Sequence, residues 1–122
     1  MRYLILLKGT RLVDPPAGLM EAIMGLGEEA TAAGALLDTA GLAPTDKGAR
    51  VQLAAGQLGV LDGPFTETKE FISYALYQVR SKEEAVEWAA RFLRLHRDFV
   101  SDYDGEAEVL KVFGPEDFAP PA

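Results

Sequence analysis

One short segment of the sequence concentrates side chains that could carry out acid–base chemistry. It reads DGPFTETKE over residues 62–70, so that a carboxylate precedes a Gly-Pro turn and a lysine is flanked by two glutamates. A carboxylate held on a rigid turn beside a lysine is suited to accept a proton or to hold an anion toward a cleft. We therefore predict Asp62 and Lys69 as catalytic residues, with Glu67 and Glu70 orienting the lysine and contacting a substrate.

The same segment also has a purely structural explanation. Aspartate in an Asp-Gly turn commonly accepts hydrogen bonds from the N–H groups of that turn. The lysine and the glutamates would then form solvated surface pairs, which contribute little to stability. From the residue types alone, this structural role of Asp62 is the more common outcome.

Three further candidates lie on predicted strands. Asp38 interrupts an apolar strand, and a carboxylate that points into a dimer cleft is desolvated. Desolvation raises the pKa of a carboxyl group toward the range of a general acid or base, so Asp38 is a third predicted catalytic residue. The alternative is an edge-strand aspartate that faces water. Tyr74 and Tyr77 are predicted to donate hydroxyl hydrogen bonds to a substrate.

The sequence offers few residues for metal binding. It contains one histidine and no cysteine, which excludes cysteine-ligated zinc and the usual histidine-rich zinc sites. The single histidine, His96, falls at the end of the apolar stripe of a predicted helix and is assigned a structural or surface role. We predict no metal and no cofactor.

Hydrophobic spacing predicts the elements that must position these side chains. Helices are predicted over residues 16–33, capped near Asp14, and from Ser81 to about residue 99, where Ser81 and Glu84 match a capping box. Strands are predicted over residues 3–7, 35–40, 49–53, 57–61, 73–79 and 107–113. The order predicts an α+β fold, a ferredoxin-like split β-α-β with an inserted β-hairpin. Residues 1–122 form one domain, with a Pro-rich tail over 115–122.

The predicted strands are apolar on both faces, whereas two helices can cover only one face of the sheet. An uncovered face of this kind is a large apolar patch, and association through a twofold axis is the commonest way to bury it. We therefore predict a homodimer in which two sheets face each other. The alternative is that the hairpin and the tail of the same chain cover this face.

Charge and length exclude several classes of partner. The chain has 122 residues, with 12 basic against 19 acidic side chains and a net charge of -7. This is the wrong sign for binding nucleic acid. No window approaches the about 20 apolar residues of a membrane span. A cytoplasmic protein is therefore predicted, with no nucleic-acid and no membrane partner.

The segment over residues 62–70 resembles the signature of the DGPF family, a branch of the YCII-related proteins. Residues 2–7, 34–44, 83–91 and 105–118 are similar to that family in the same order. The resemblance implies a dimeric α+β barrel with a cleft that serves as an active site. In the wider YCII group, a histidine on the first helix and an aspartate on the next strand form the expected catalytic pair. Asp38 lies on the matching strand, but the predicted first helix contains no histidine.

These features predict a small-molecule-binding protein or a cofactor-free enzyme with a polar cleft near the dimer interface. The alternative is a non-catalytic dimeric sensor or protein-interaction module. The residue types do not choose between these functions, nor among hydrolytic, isomerising and oxygen-dependent reactions.

Overall fold

The computed structural model describes residues 1–65 and 69–118. In this part of the chain, the elements follow the predicted order: β1 (Arg2–Gly9), α1 (Ala17–Ala32), β2 (Leu36–Gly41), β3 (Ala49–Ala54), β4 (Gln57–Asp62), β5 (Glu70–Gln78), α2 (Lys82–Phe99) and β6 (Gly105–Lys111). Two helices and antiparallel sheets confirm the predicted α+β class. No helix within these residues is both long and apolar enough to cross a membrane.

Four strands form one sheet in the order β2-β5-β1-β6, and each neighbouring pair is antiparallel. Strands β3 and β4 pair separately as a hairpin. Strand β5 begins at Glu70, earlier than its apolar residues predict, because Glu70 and Phe71 pair with Gly9 and Lys8 of β1. Strand β6 begins at Gly105 for the same reason, since Gly105 pairs with Gly9. The central strand β1 thus sets the length of both neighbours.

Both helices pack on one face of this sheet. Tyr3, Ile5 and Leu7 alternate with half-buried residues along β1 and form the buried side of the strand. The helices contribute small residues to the same core, which are Ala30 of α1 and Ala85 and Ala89 of α2. Alanines at these positions let the helix backbones approach the sheet, and the larger β1 side chains fill the space between them.

The two helices begin in different ways. The N-cap of α1 is Pro16, which has no side-chain cap, so the predicted Asp14 cap is wrong. Helix α2 has the predicted Ser81 cap, because the Glu84 N–H donates to the Ser81 hydroxyl over 3.1 Å and so satisfies a donor that the first turn of a helix leaves unpaired. The return bond of the predicted capping box differs: the Glu84 carboxylate accepts from the Arg80 N–H, one residue before the N-cap, over 3.0 Å.

The other face of the sheet carries apolar side chains that no layer of described residues covers, and we call it the open face. Register across the strands places these residues on it: Leu4, Leu6, Tyr74, Leu76 and Leu110. The β3–β4 hairpin exposes a second apolar surface, because Val51 pairs with Val60 and Leu53 with Leu58 on one of its faces. Residues 1–65 and 69–118 of the single chain leave both surfaces uncovered.

Candidate functional site

A cavity of about 440 Å³ lies between the helices and the sheet, and we call it the helix–sheet cavity. Most of its lining is apolar and includes Leu7, Leu19, Met20, Ile23, Ile72 and Phe92. Its polar lining consists of Thr10, Arg11, Thr39, Ser73, His96 and Tyr103. An apolar cavity with a few convergent polar groups is the usual form of a small-molecule site.

His96 lies in the wall of this cavity and is only 5% exposed. Its Nδ1 atom lies 3.0 Å from the carbonyl oxygen of Phe92. Because a carbonyl can only accept, Nδ1 carries a proton, and in the neutral ring Nε2 holds the free lone pair. Nε2 forms no hydrogen bond within the described part of the chain. The rings of Phe92 and Tyr103 flank the imidazole at 4.8 and 4.9 Å between centroids.

Arg11 reaches the cavity from the loop that follows β1. Its Nε atom donates to the Glu70 carboxylate over 3.2 Å. Its Nη2 atom is enclosed by protein and has no hydrogen-bond partner among the described residues. Buried polar atoms in proteins are nearly always paired, so an enclosed donor without a partner indicates a place where an acceptor can bind.

Tyr103 completes the polar lining. Burial raises the pKa of its hydroxyl above the ordinary value, so the phenol stays protonated at neutral pH and can donate a hydrogen bond. Gly9 provides the space for it, since a Cβ atom at Gly9 would lie 3.0 Å from the Tyr103 oxygen. Sequence reasoning did not select Tyr103 or Arg11, because neither belongs to a motif.

Asp38 and Tyr74 lie together on the other side of the sheet. The Tyr74 hydroxyl donates to the Asp38 carboxylate over 2.8 Å, and Tyr74 shares the open face with Leu6. Thr39, the neighbour of Asp38, pairs with Ala75 and lines the cavity. The alternation of side chains along a strand therefore places Asp38 opposite the helix–sheet cavity.

Asp38 controls the ionisation of Tyr74. The hydrogen bond from Tyr74 to Asp38 raises the pKa of the phenol, with further contributions from desolvation and from the nearby negative charge. We expect Asp38→Asn to lower this pKa, because the phenol then donates to a neutral group and tyrosinate forms at lower pH. Ultraviolet titration of tyrosinate in the wild type and in Asp38→Asn measures the change, and Tyr74→Phe identifies the transition. Identical titration curves for the first two proteins would contradict the contact.

The other predicted residues lie apart from this pair. Asp62 is exposed at the end of β4, and Lys69 Nζ lies 3.9 Å from the Asp104 carboxylate. Within residues 1–65 and 69–118, no hydrogen bond or ion pair joins Asp62, Asp38 and Lys69. Glu67 lies outside the described residues. Glu70 contacts Arg11, so its carboxylate is engaged beside the helix–sheet cavity.

Tyr77 is on the helix side of the sheet, where it is buried and stacks on Trp88 at 5.7 Å between ring centroids. Burial raises the pKa of its hydroxyl. The two rings line a small cavity of about 70 Å³ adjoining the core. Tyr77 thus belongs to the hydrophobic core and also lines this small cavity.

The turn after Asp62 is fixed by close backbone contacts. The Gly63 N–H donates to the Gly48 carbonyl over 3.0 Å, and the Phe65 N–H donates to the Thr45 hydroxyl over 3.1 Å. A Cβ atom on Gly63 would overlap the carbonyl oxygen of Thr45. Glycine at this position lets the end of the hairpin approach the loop before β3.

The described residues contain no group of three or more His, Asp and Glu side chains placed to hold a metal ion. The polar side chains that line the helix–sheet cavity carry hydroxyl groups, one guanidinium and one imidazole. Together they are suited to bind an organic molecule and to exchange a proton with it.

The fold and the site together define a class of protein, which is a two-layer α+β domain with a ligand-sized cavity between its layers. The model of the YCII-related domain matches residues 1–104 of the chain. Because the match covers more than half of the sequence, the chain belongs to the YCII-related family. A search of the curated proteins finds no match.

Proposed function

We propose that this chain is a small-molecule-binding protein and that its ligand occupies the helix–sheet cavity. The observation that carries the proposal is the cavity itself: about 440 Å³, largely apolar, with Arg11, His96 and Tyr103 in its wall. Cavities of this size enclose most of a small organic molecule. The apolar wall would supply affinity, and the polar side chains would orient the ligand.

The same wall has the equipment for proton transfer. His96 is fixed by its Nδ1–H bond to Phe92, which leaves Nε2 to accept a proton from a bound molecule. Tyr103 supplies a protonated hydroxyl on the same cavity. A cofactor-free enzyme with His96 as the general base is the catalytic form of the proposal. In the binding-only form, the same atoms hold the ligand without reaction.

A neutral aromatic amide, 3-phenylpropionamide, tests whether the cavity binds small molecules. We expect saturation-transfer NMR to detect binding to the wild type and its loss in Ile23→Trp. Ile23 is half-buried on α1 and lines the cavity, so an indole at this position would fill the space. Met20→Trp is a second filling variant at an exposed lining position, where the fold tolerates the larger side chain.

Glu21→Trp is the matched control. Glu21 is exposed on the same helix and is absent from the cavity lining. Loss of binding in the filling variants together with retained binding in Glu21→Trp supports the proposal. No binding to the wild type, or equal binding to all of these variants, overturns it.

We also propose that the chain belongs to the DGPF branch and forms a homodimer with a ferredoxin-like subunit and a dimeric α+β barrel. The sheet order β2-β5-β1-β6 with two helices on one face supports this architecture. The occupant of the open face would be the open face of a second copy, since a twofold axis covers the same apolar surface on both chains. Asp38, Tyr74 and Asp62 remain candidates for a polar cleft beside that interface.

A second candidate function, a non-catalytic dimeric interaction module, is favoured by the hairpin. A two-stranded hairpin is marginally stable alone, yet β3–β4 presents its apolar pairs to solvent. Contact with the second chain would bury these pairs. Both candidate functions include the homodimer. Ligand binding in the helix–sheet cavity is therefore the property that distinguishes one function from the other.

A further inference from the structure

Arg11 is the charged group of the helix–sheet cavity. Its side chain is 28% exposed, and its one ion-pair partner in the described part of the chain is Glu70, held at Nε. Among the lining residues that the structure describes, none is aspartate or glutamate. The lining thus carries the positive charge of Arg11, which the Glu70 carboxylate opposes from beside the cavity.

The guanidinium has more donors than its partner uses. It presents five N–H groups in a planar fork, and the bond to Glu70 engages the one on Nε. The enclosed Nη2 atom forms no hydrogen bond within the described residues. Nη2 therefore needs an acceptor that the described residues do not supply, and the edge that it forms with Nη1 matches the two oxygens of a carboxylate in parallel hydrogen bonds.

The remaining lining of the cavity restricts the part of a ligand that lies away from its carboxylate. Leu7, Leu19 and Ile23 form apolar walls, and Phe92 contributes an aromatic one. Apolar contacts of this kind favour an aromatic ring or a short branched chain. A small, fully polar anion such as phosphate or sulfate would leave these walls without partners.

We infer that the helix–sheet cavity selects amphipathic carboxylic acids, with the carboxylate held by Arg11 and the apolar body against the α1 and α2 side chains. The inference rests on the proposed function, because it names the class of ligand for the same cavity. An amide of the same shape offers one acceptor oxygen and no charge, so Arg11 binds it more weakly.

Isothermal titration of 3-phenylpropionate and 3-phenylpropionamide tests this selectivity. We expect the acid to bind the wild type about tenfold or more tightly than the amide, as a charge-assisted, bidentate contact requires. In Arg11→Gln, we expect acid binding to fall to the level of the amide while amide binding changes little. Arg11→Lys keeps the charge but loses the fork, so it should show an intermediate preference.

Arg97→Gln is the matched control, because it makes the same substitution at an exposed arginine outside the cavity lining. We expect it to leave the preference for the acid unchanged. Equal binding of both compounds to the wild type, or an unchanged preference in Arg11→Gln, overturns the inference and leaves the proposed function standing. Failure of both compounds to bind overturns the proposed function as well.

Discussion

Leu110→Glu is expected to convert the proposed homodimer, of twice the 13.2 kDa chain mass, into a folded monomer. Leu110 lies opposite Leu4 on the open face and is 45% exposed in the single chain, so glutamate there can reach water when the chain is alone. Between two facing sheets, the same carboxylates would be buried without partners, which is strongly unfavourable. Sedimentation equilibrium at micromolar concentration measures the mass.

Val86→Glu is the control for this substitution. Val86 lies on α2 and is 46% exposed, which matches Leu110 in exposure but not in location. Val86→Glu should leave the mass measured by sedimentation equal to that of the wild type. A wild-type mass of one chain, or a Leu110→Glu protein that remains dimeric, would contradict the facing-sheet arrangement.

Leu7→Ala is expected to lower the free energy of unfolding by about 2–5 kcal/mol. Leu7 is 2% exposed on the central strand β1, and its side chain lines the helix–sheet cavity. Truncation removes buried methyl groups and enlarges existing empty space, since the surrounding helices cannot collapse fully into it. Urea denaturation at fixed protein concentration measures the loss.

Leu37→Ala provides the comparison, because Leu37 is 51% exposed on β2. Leu37→Ala should lower the free energy of unfolding by roughly 0.5 kcal/mol or less, as most surface substitutions do. Equal losses for the two variants would show that Leu7 does not occupy the packed position described above.

Local sequence signals predicted most of the fold. The Ser81 cap of α2 and the β3–β4 hairpin depend on residues close in sequence, and both are present. The bounds of β5 and β6 were less accurate, because they depend on pairing with β1 rather than on their own apolar residues. The Asp14 cap was wrong because the N-cap position of α1 falls on Pro16, which has no side chain that can cap the helix.

The candidate site was less accessible to sequence reasoning. Arg11 and Glu70 are 59 positions apart, and no spacing rule joins them. His96 had one signal, its spacing of four from Phe92, which places both side chains on one face of α2. That spacing predicts a structural or surface role for His96, whereas the cavity beside the two rings arises only when both helices meet the sheet.

Intermolecular nuclear Overhauser effects between 3-phenylpropionate and the protein methyl groups test the central claim most directly. The account predicts contacts from the phenyl ring to the methyl groups of Leu7, Leu19 and Ile23, which line the helix–sheet cavity. Contacts confined to the exposed hairpin residues Leu53 and Leu58 would contradict it, because the ligand would then lie on a surface outside the cavity.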